Sequence, residues 1–97
     1  MATYITLMKF TQQGAESIKG GPARLDQAKK QFSSMGAEIK AFYLVMGRYD
    51  AISITEEPDD ATVAKLRLAI GSQGNVSTET MRAFTEEEYK EIVAALP

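Results

Sequence analysis

Apolar and polar positions along this chain follow two periods, and the switches between them outline its elements. From Ala2 to Phe10 the run ATYITLMKF is rich in β-branched and aromatic residues. It is apolar on both parities, with Ile5 and Leu7 on one and Tyr4, Met8 and Phe10 on the other. That pattern predicts a strand buried on both faces. Thr11 caps a short turn through Gln12 to Lys19, in which Gly14 is a weak point. Pro22 then opens a helix at its first position, where the missing N–H costs nothing. Leu25, Ala28, Phe32 and Met35 recur on one side of that helix, and Gly36 closes it at C′.

Glu38 to Met46 sets Ile39, Ala41, Tyr43 and Val45 against Lys40, Phe42, Leu44 and Met46, so again both faces carry apolar side chains. Gly47-Arg48 fits a two-residue hairpin turn, with glycine at the first central position where positive φ is required. Tyr49 to Glu56 is the returning strand, with Ile52 and Ile54 on one face. Pro58-Asp59-Asp60 ends it and supplies carboxylates for the start of a helix that runs to about Ile70. Val63, Leu66 and Ile70 face inward there, and Lys65 and Arg67 fall outside the apolar stripe. Gly71 to Asn75 is turn chemistry, and Val76 to Phe84 is a fourth, threonine-rich strand. Thr85 and Glu88 form a capping box flanked by Phe84 and Tyr89, and Tyr89, Ile92, Val93 and Leu96 give the last helix an apolar face for docking on the domain.

The order is strand, helix, strand, strand, helix, strand, helix. With two right-handed crossovers it predicts an α+β fold: a ferredoxin-like four-stranded antiparallel sheet with helices on one face and a C-terminal helix added. The helices cover only one face, yet the strands are apolar on both. A bare apolar patch of about 400 Å² or more is unusual on a monomer. Two copies are therefore expected to pack sheet to sheet as a dimeric α+β barrel around a small shared lumen.

Composition narrows the function. The 97 residues make one domain, 1–97, of a size that buries only about 60 to 65% of its unfolded surface. Eleven basic against 13 acidic residues give a net charge of −2, which offers no footprint for a polyphosphate, so nucleic acid is not an expected partner. There is no cysteine and no histidine, which removes thiolate chemistry, the usual general base and the commonest metal ligands. No run approaches the roughly 18 apolar residues of a membrane span, so no membrane partner is expected and the chain reads as cytoplasmic. Gly71 to Gly74 lacks the lysine and helix-opening context of a phosphate-binding loop. Neither a metal nor a cofactor is expected.

Asp50 is the most interesting ionisable residue, because its parity places it with Ile52 and Ile54. A carboxylate there either accepts turn N–H groups, pairs with Arg48, Lys9 or Arg82, or serves a ligand or proton transfer. Tyr43 and Tyr49 are core aromatics with tethered hydroxyls or else site residues. Thr78, Thr80 and Arg82 would hold a small anion if they point into the lumen, and otherwise make an inter-subunit salt bridge or a solvated strand end.

With the strands placed, the chain resembles the GYD family of small proteins. The resemblance rests on Tyr4 and Lys9 in the opening strand, the Pro22 helix start, Phe42-Tyr43-Leu44 leading into Met46-Gly47-Arg48-Tyr49-Asp50, and Glu57-Pro58-Asp59-Asp60. It continues through Gly74-Asn75-Val76, Thr78-Glu79-Thr80 and Arg82-Ala83-Phe84-Thr85. It implies a dimeric α+β-barrel-like fold and carries over no catalytic residues. Gly20-Gly21 departs from the polar residues that relatives tend to place before the proline. A fainter similarity reaches the effector-binding domains of leucine-responsive-type regulators, which share the Gly-x-Tyr-Asp hairpin and bind small metabolites at subunit interfaces; it is an analogy of fold.

The leading expectation is a small-molecule-binding or regulatory module whose ligand sits at the dimer interface, with Tyr4, Tyr43, Arg48, Tyr49, Asp50, Thr78, Thr80 and Arg82 as candidate contacts. The alternatives are a cofactor-free enzyme of the dimeric α+β-barrel type, a monooxygenase or isomerase, and a structural oligomerisation module.

Overall fold

The computed structural model describes every residue from Met1 to Pro97. Strand β1 (Ala2–Phe10) lies inside the sheet, with β3 (Ala51–Glu57) and β4 (Val76–Ala83) antiparallel on its two sides. β2 (Glu38–Leu44) pairs with the outer side of β3, so the order is β2-β3-β1-β4, the ferredoxin-like arrangement.

The segment after β1 is a short helix α1 (Gln12–Glu16) and a single 3-10 turn at Ile18–Gly20, followed by α2 (Gly21–Ser34). Thr11 caps α1 by accepting from the Gly14 amide. α2 begins one residue before Pro22 and ends as its sequence requires. Gly36 takes φ of +75° while its amide reaches Ser33 O and that of Ala37 reaches Phe32 O, the paired bonds of a glycine-terminated helix. α3 (Asp60–Ser72) is capped by Asp59, whose carboxylate accepts from the Thr62 amide.

The hairpin differs from the sequence expectation. Six residues, Val45 to Asp50, separate β2 from β3, and the Val45 amide donating to Asp50 O closes a loop through Met46, Gly47, Arg48 and Tyr49. Gly47 does take positive φ, at +136°. A second irregularity lies in β2, where Ile39 pairs with Thr55 but Ala41 pairs with Ile54, leaving Lys40 as a bulge. The bulge reverses the alternation, so Ile39 no longer shares a face with Ala41 and Tyr43.

The register sorts the strand residues onto two unlike faces. Tyr4, Thr6, Ser53, Thr55, Glu57 and Thr80 lie on the side covered by α2 and α3, where the small core of Phe32, Ala37 and Leu66 sits. Ile5, Leu7, Ile52, Ile54, Tyr43 and Met81 lie on the other side, and no helix covers it, for Tyr43 is 57% and Met81 42% exposed. The covered face is thus the hydroxyl-rich one and the uncovered face the apolar one, the reverse of a one-layered sheet's usual pattern.

α4 (Glu86–Ala94) also departs from expectation. Its capping box is formed, with Thr85 Oγ1 accepting from the Glu88 amide and Glu88 accepting from the Thr85 amide. Yet the helix stands off its own domain: Tyr89, Ile92 and Val93 are exposed, as is Leu96 just past its end, at 64%. β4 is an edge strand, and α4, which follows it, leaves its apolar side chains uncovered by the sheet.

Candidate functional site

The covered face holds a polar network that crosses four elements, β1, β3, β4 and α3. Glu57, the last residue of β3, is fully buried, and Arg67 of α3 grips it through Nη1 to Oε1 at 3.0 Å and Nη2 to Oε2 at 2.7 Å. Thr55 Oγ1 donates to the same carboxylate at 2.6 Å. Arg67 Nε donates to both Thr80 Oγ1 and Thr6 Oγ1, at 3.0 and 3.2 Å, and the two hydroxyls bond each other. The guanidinium also lies over the Phe32 ring, 5.3 Å from its centroid. Every buried side-chain polar atom has a partner, so the network is satisfied. Its chemistry is to lock α3 to the sheet, since a carboxylate forked by arginine, bonded by a hydroxyl and closed off from solvent is out of a substrate's reach.

Sequence reasoning missed this network. Arg67 lies outside the apolar stripe of its helix, and Glu57 stands where the strand was expected to be over. The signal that points to it is the parity of Ser53, Thr55 and Glu57, a polar series that continues one residue past Glu56.

The eight expected contacts are divided by the sheet. Tyr4, Thr78, Thr80 and Arg82 belong to the covered side, by register with Thr6 and Met8. The Tyr4 hydroxyl donates to Asp60 Oδ1 at 2.8 Å, and that bond, with desolvation second, raises the phenol above its ordinary 10.0. Thr80 belongs to the Arg67 network, and Thr78 lines a cavity of about 50 Å³ beside Thr6, Ser53 and Arg67. Arg82 bonds the carbonyls of Thr3 and Ala83, lies over the Phe84 ring and reaches Glu88 at 3.6 Å, which places it at the root of α4.

Tyr43 faces the uncovered side, as does Glu79, whose carboxylate accepts from the Tyr49 hydroxyl at 2.7 Å. That bond raises the Tyr49 phenol above 10.0. Arg48 is exposed in the loop. Asp50 is tethered, by a partner none of the expectations named: its Oδ2 accepts from the Phe10 amide at 2.8 Å, while its own amide donates to Met8 O. The carboxylate stands in for a backbone carbonyl at the point where β3 leaves β1.

The largest concavity lies elsewhere. A cleft of about 580 Å³ opens between the first half of α2 and the sheet, floored by Met8, Phe10, Phe42 and Ala51 and walled by Leu25 and Ile70. None of the eight expected contacts lines it. No three acidic side chains come together as a metal-binding group, and no helix is long and apolar enough to cross a membrane.

These features define a small ferredoxin-like α+β protein with a locked polar core and large bare apolar surfaces. The model of the GYD domain matches residues 4–93, and the chain belongs to that family. It is 36% identical over 84 residues to a Thermus thermophilus protein called glutamine synthetase and cystathionine beta-lyase binding protein, covering 86% of this chain and 88% of that one. Among solved structures it is similar to TTHA0845, also from Thermus thermophilus, with a TM-score of 0.55 at 21% identity, covering 88% of this chain and 95% of that one. It is also similar to the protein FFRP-DM1, with a TM-score of 0.57 at 24% identity, covering 87% of this chain and 100% of that one. These two likenesses show the fold.

Proposed function

We propose that this chain is a regulatory binding module that works as a homodimer and engages enzymes as its partners. The observation that carries this reading is that the chain leaves two apolar surfaces bare at once, the isoleucine-rich face of the sheet and the outward side of α4. A second copy covers the sheet face, because an isologous contact pairs the same patch with itself. α4 remains available to a different protein. The relative in Thermus thermophilus is named for binding glutamine synthetase and cystathionine beta-lyase, which supports enzymes of those two kinds as partners here.

Sedimentation velocity, followed by titration of the dimer with glutamine synthetase from the same source, tests the reading. A dimer at micromolar concentration and saturable binding that is lost in the Ile92→Asp/Leu96→Asp variant are expected. A folded monomer, or binding indifferent to that variant, overturns it.

A second reading, a small ligand held where the two copies meet, is supported by Tyr43 and the Tyr49–Glu79 bond on the uncovered side. A thermal-shift screen of metabolites against wild type and Tyr49→Phe tests it; hits that the substitution removes would support it.

A further inference from the structure

The cleft under α2 is on the opposite side of the sheet from the proposed dimer face, and the reading above does not use it. It exists because α2 leans. Phe32, near the end of the helix, is buried, whereas Leu25 and Ala28, nearer its start, are only half-buried. Met8, Phe10 and Ile70 therefore face a gap, and apolar side chains lining a gap lose the contacts that a filled interior provides. At about 580 Å³ the space falls within the roughly 300 to 1,000 Å³ typical of small-molecule sites.

Its polar rim is selective. No Asp or Glu lines the cleft, and its one charged side chain is Arg24, in a chain whose net charge is −2. The other polar groups are the amides of Gln27, Gln31, Gln73 and Asn75. Arg24 is held in place at the mouth: Nη2 donates to Ser17 O at 3.1 Å, and the guanidinium lies so close over Gly20 that a Cβ there would come within 2.8 Å of Nη1. The bare backbone of Gly20-Gly21 leaves room for it. The remaining guanidinium donors suit a carboxylate, which arginine binds by two parallel bonds.

We propose that the cleft binds a small amphipathic carboxylate, with its apolar body between α2 and the sheet and its anionic end on Arg24. Amide NMR titration with decanoate, decanol and decyltrimethylammonium tests this. Decanoate should give saturable shifts at Leu25, Ala28, Phe42 and Ile70. Arg24→Gln should weaken decanoate by about tenfold or more, the effect of losing a charge-assisted bond, and leave decanol within about twofold. Ala28→Phe, which fills the cleft, should remove both, with unchanged β1 and β3 signals reporting an intact fold. Equal affinity for the three probes, or shifts confined to other surfaces, would overturn the proposal. So would cleft signals that move on dilution together with those of α4, because a second copy's helix would then be the occupant.

Discussion

Arg67 and Glu57 form a two-bond ion pair that is almost wholly withdrawn from water, with side chains 11% and 0% exposed. The pair ties α3 to the end of β3 and, through Thr6 and Thr80, to β1 and β4. Breaking one half leaves the other charge buried, which costs about 3 to 5 kcal/mol, whereas replacing both by apolar groups is often close to neutral. Arg67→Met and Glu57→Gln are each expected to lower urea stability by that amount, and Glu57→Leu/Arg67→Met to recover most of it. A single variant with an unchanged midpoint would contradict the network's structural role.

Gly14 carries a different constraint. A Cβ there would overlap the carbonyl oxygen of Asn75. That carbonyl cannot retreat freely, because it accepts from the Thr11 amide, and Thr11 Oγ1 donates to the neighbouring Gly74 O. Gly14→Ala should therefore destabilise the fold by about 1 to 3 kcal/mol, the range for overpacking, although alanine favours helix by propensity. Thermal denaturation of the variant checks it.

Thr85→Ala separates α4 from the rest. A lost N-cap costs about 1 kcal/mol, but α4 stands away from its domain, so the loss should fall on that helix. Reduced helical circular dichroism with an unchanged urea midpoint for the sheet is the expected result.

Acid should act on the same helix and on α3. The Thr85 amide holds the Glu88 carboxyl below its ordinary 4.5, and the Thr62 amide holds Asp59 below its ordinary 3.8. A depressed folded value contributes stability that is complete above the ordinary value and is lost as pH falls through the depressed one. Helical signal should thus decline below pH 4.5, and Asp59→Asn should remove the α3 share of that pH dependence.

The uncovered face makes the bluntest test. Ile5 and Ile54 are directly paired there, so Ile54→Glu would place a carboxylate in the middle of the proposed sheet-to-sheet contact. It should convert the dimer to monomer in sedimentation velocity and leave the fold intact, since the side chain then faces water.

Much of the architecture was legible in local chemistry. Gly36, Asp59 and the Thr85–Glu88 box mark helix ends because caps are made by residues three or four apart. The strands and their order followed from period and chirality. What escaped was anything set by distant partners. The Lys40 bulge depends on how β2 meets β3, and it moved Ile39 to the other face. The parity of Asp50 says that its carboxylate needs a partner, but not that the partner is Phe10, 40 residues away. Glu57 and Arg67 each look solvent-facing in isolation, and only the packing of α3 on the sheet brings them together. α4 has an apolar stripe that reads as a docking face, and period alone cannot say what the stripe docks on.

Because β1 runs between β3 and β4, consecutive residues of it serve different masters. Tyr4, Thr6 and Met8 furnish the helix-covered interior, and Ile5 and Leu7 furnish the bare side. From residue 4 to residue 8 the strand has no idle position, and of all its residues only Lys9 is exposed. A five-residue word that must be right on alternate letters for two unrelated purposes leaves random drift little room to rewrite it.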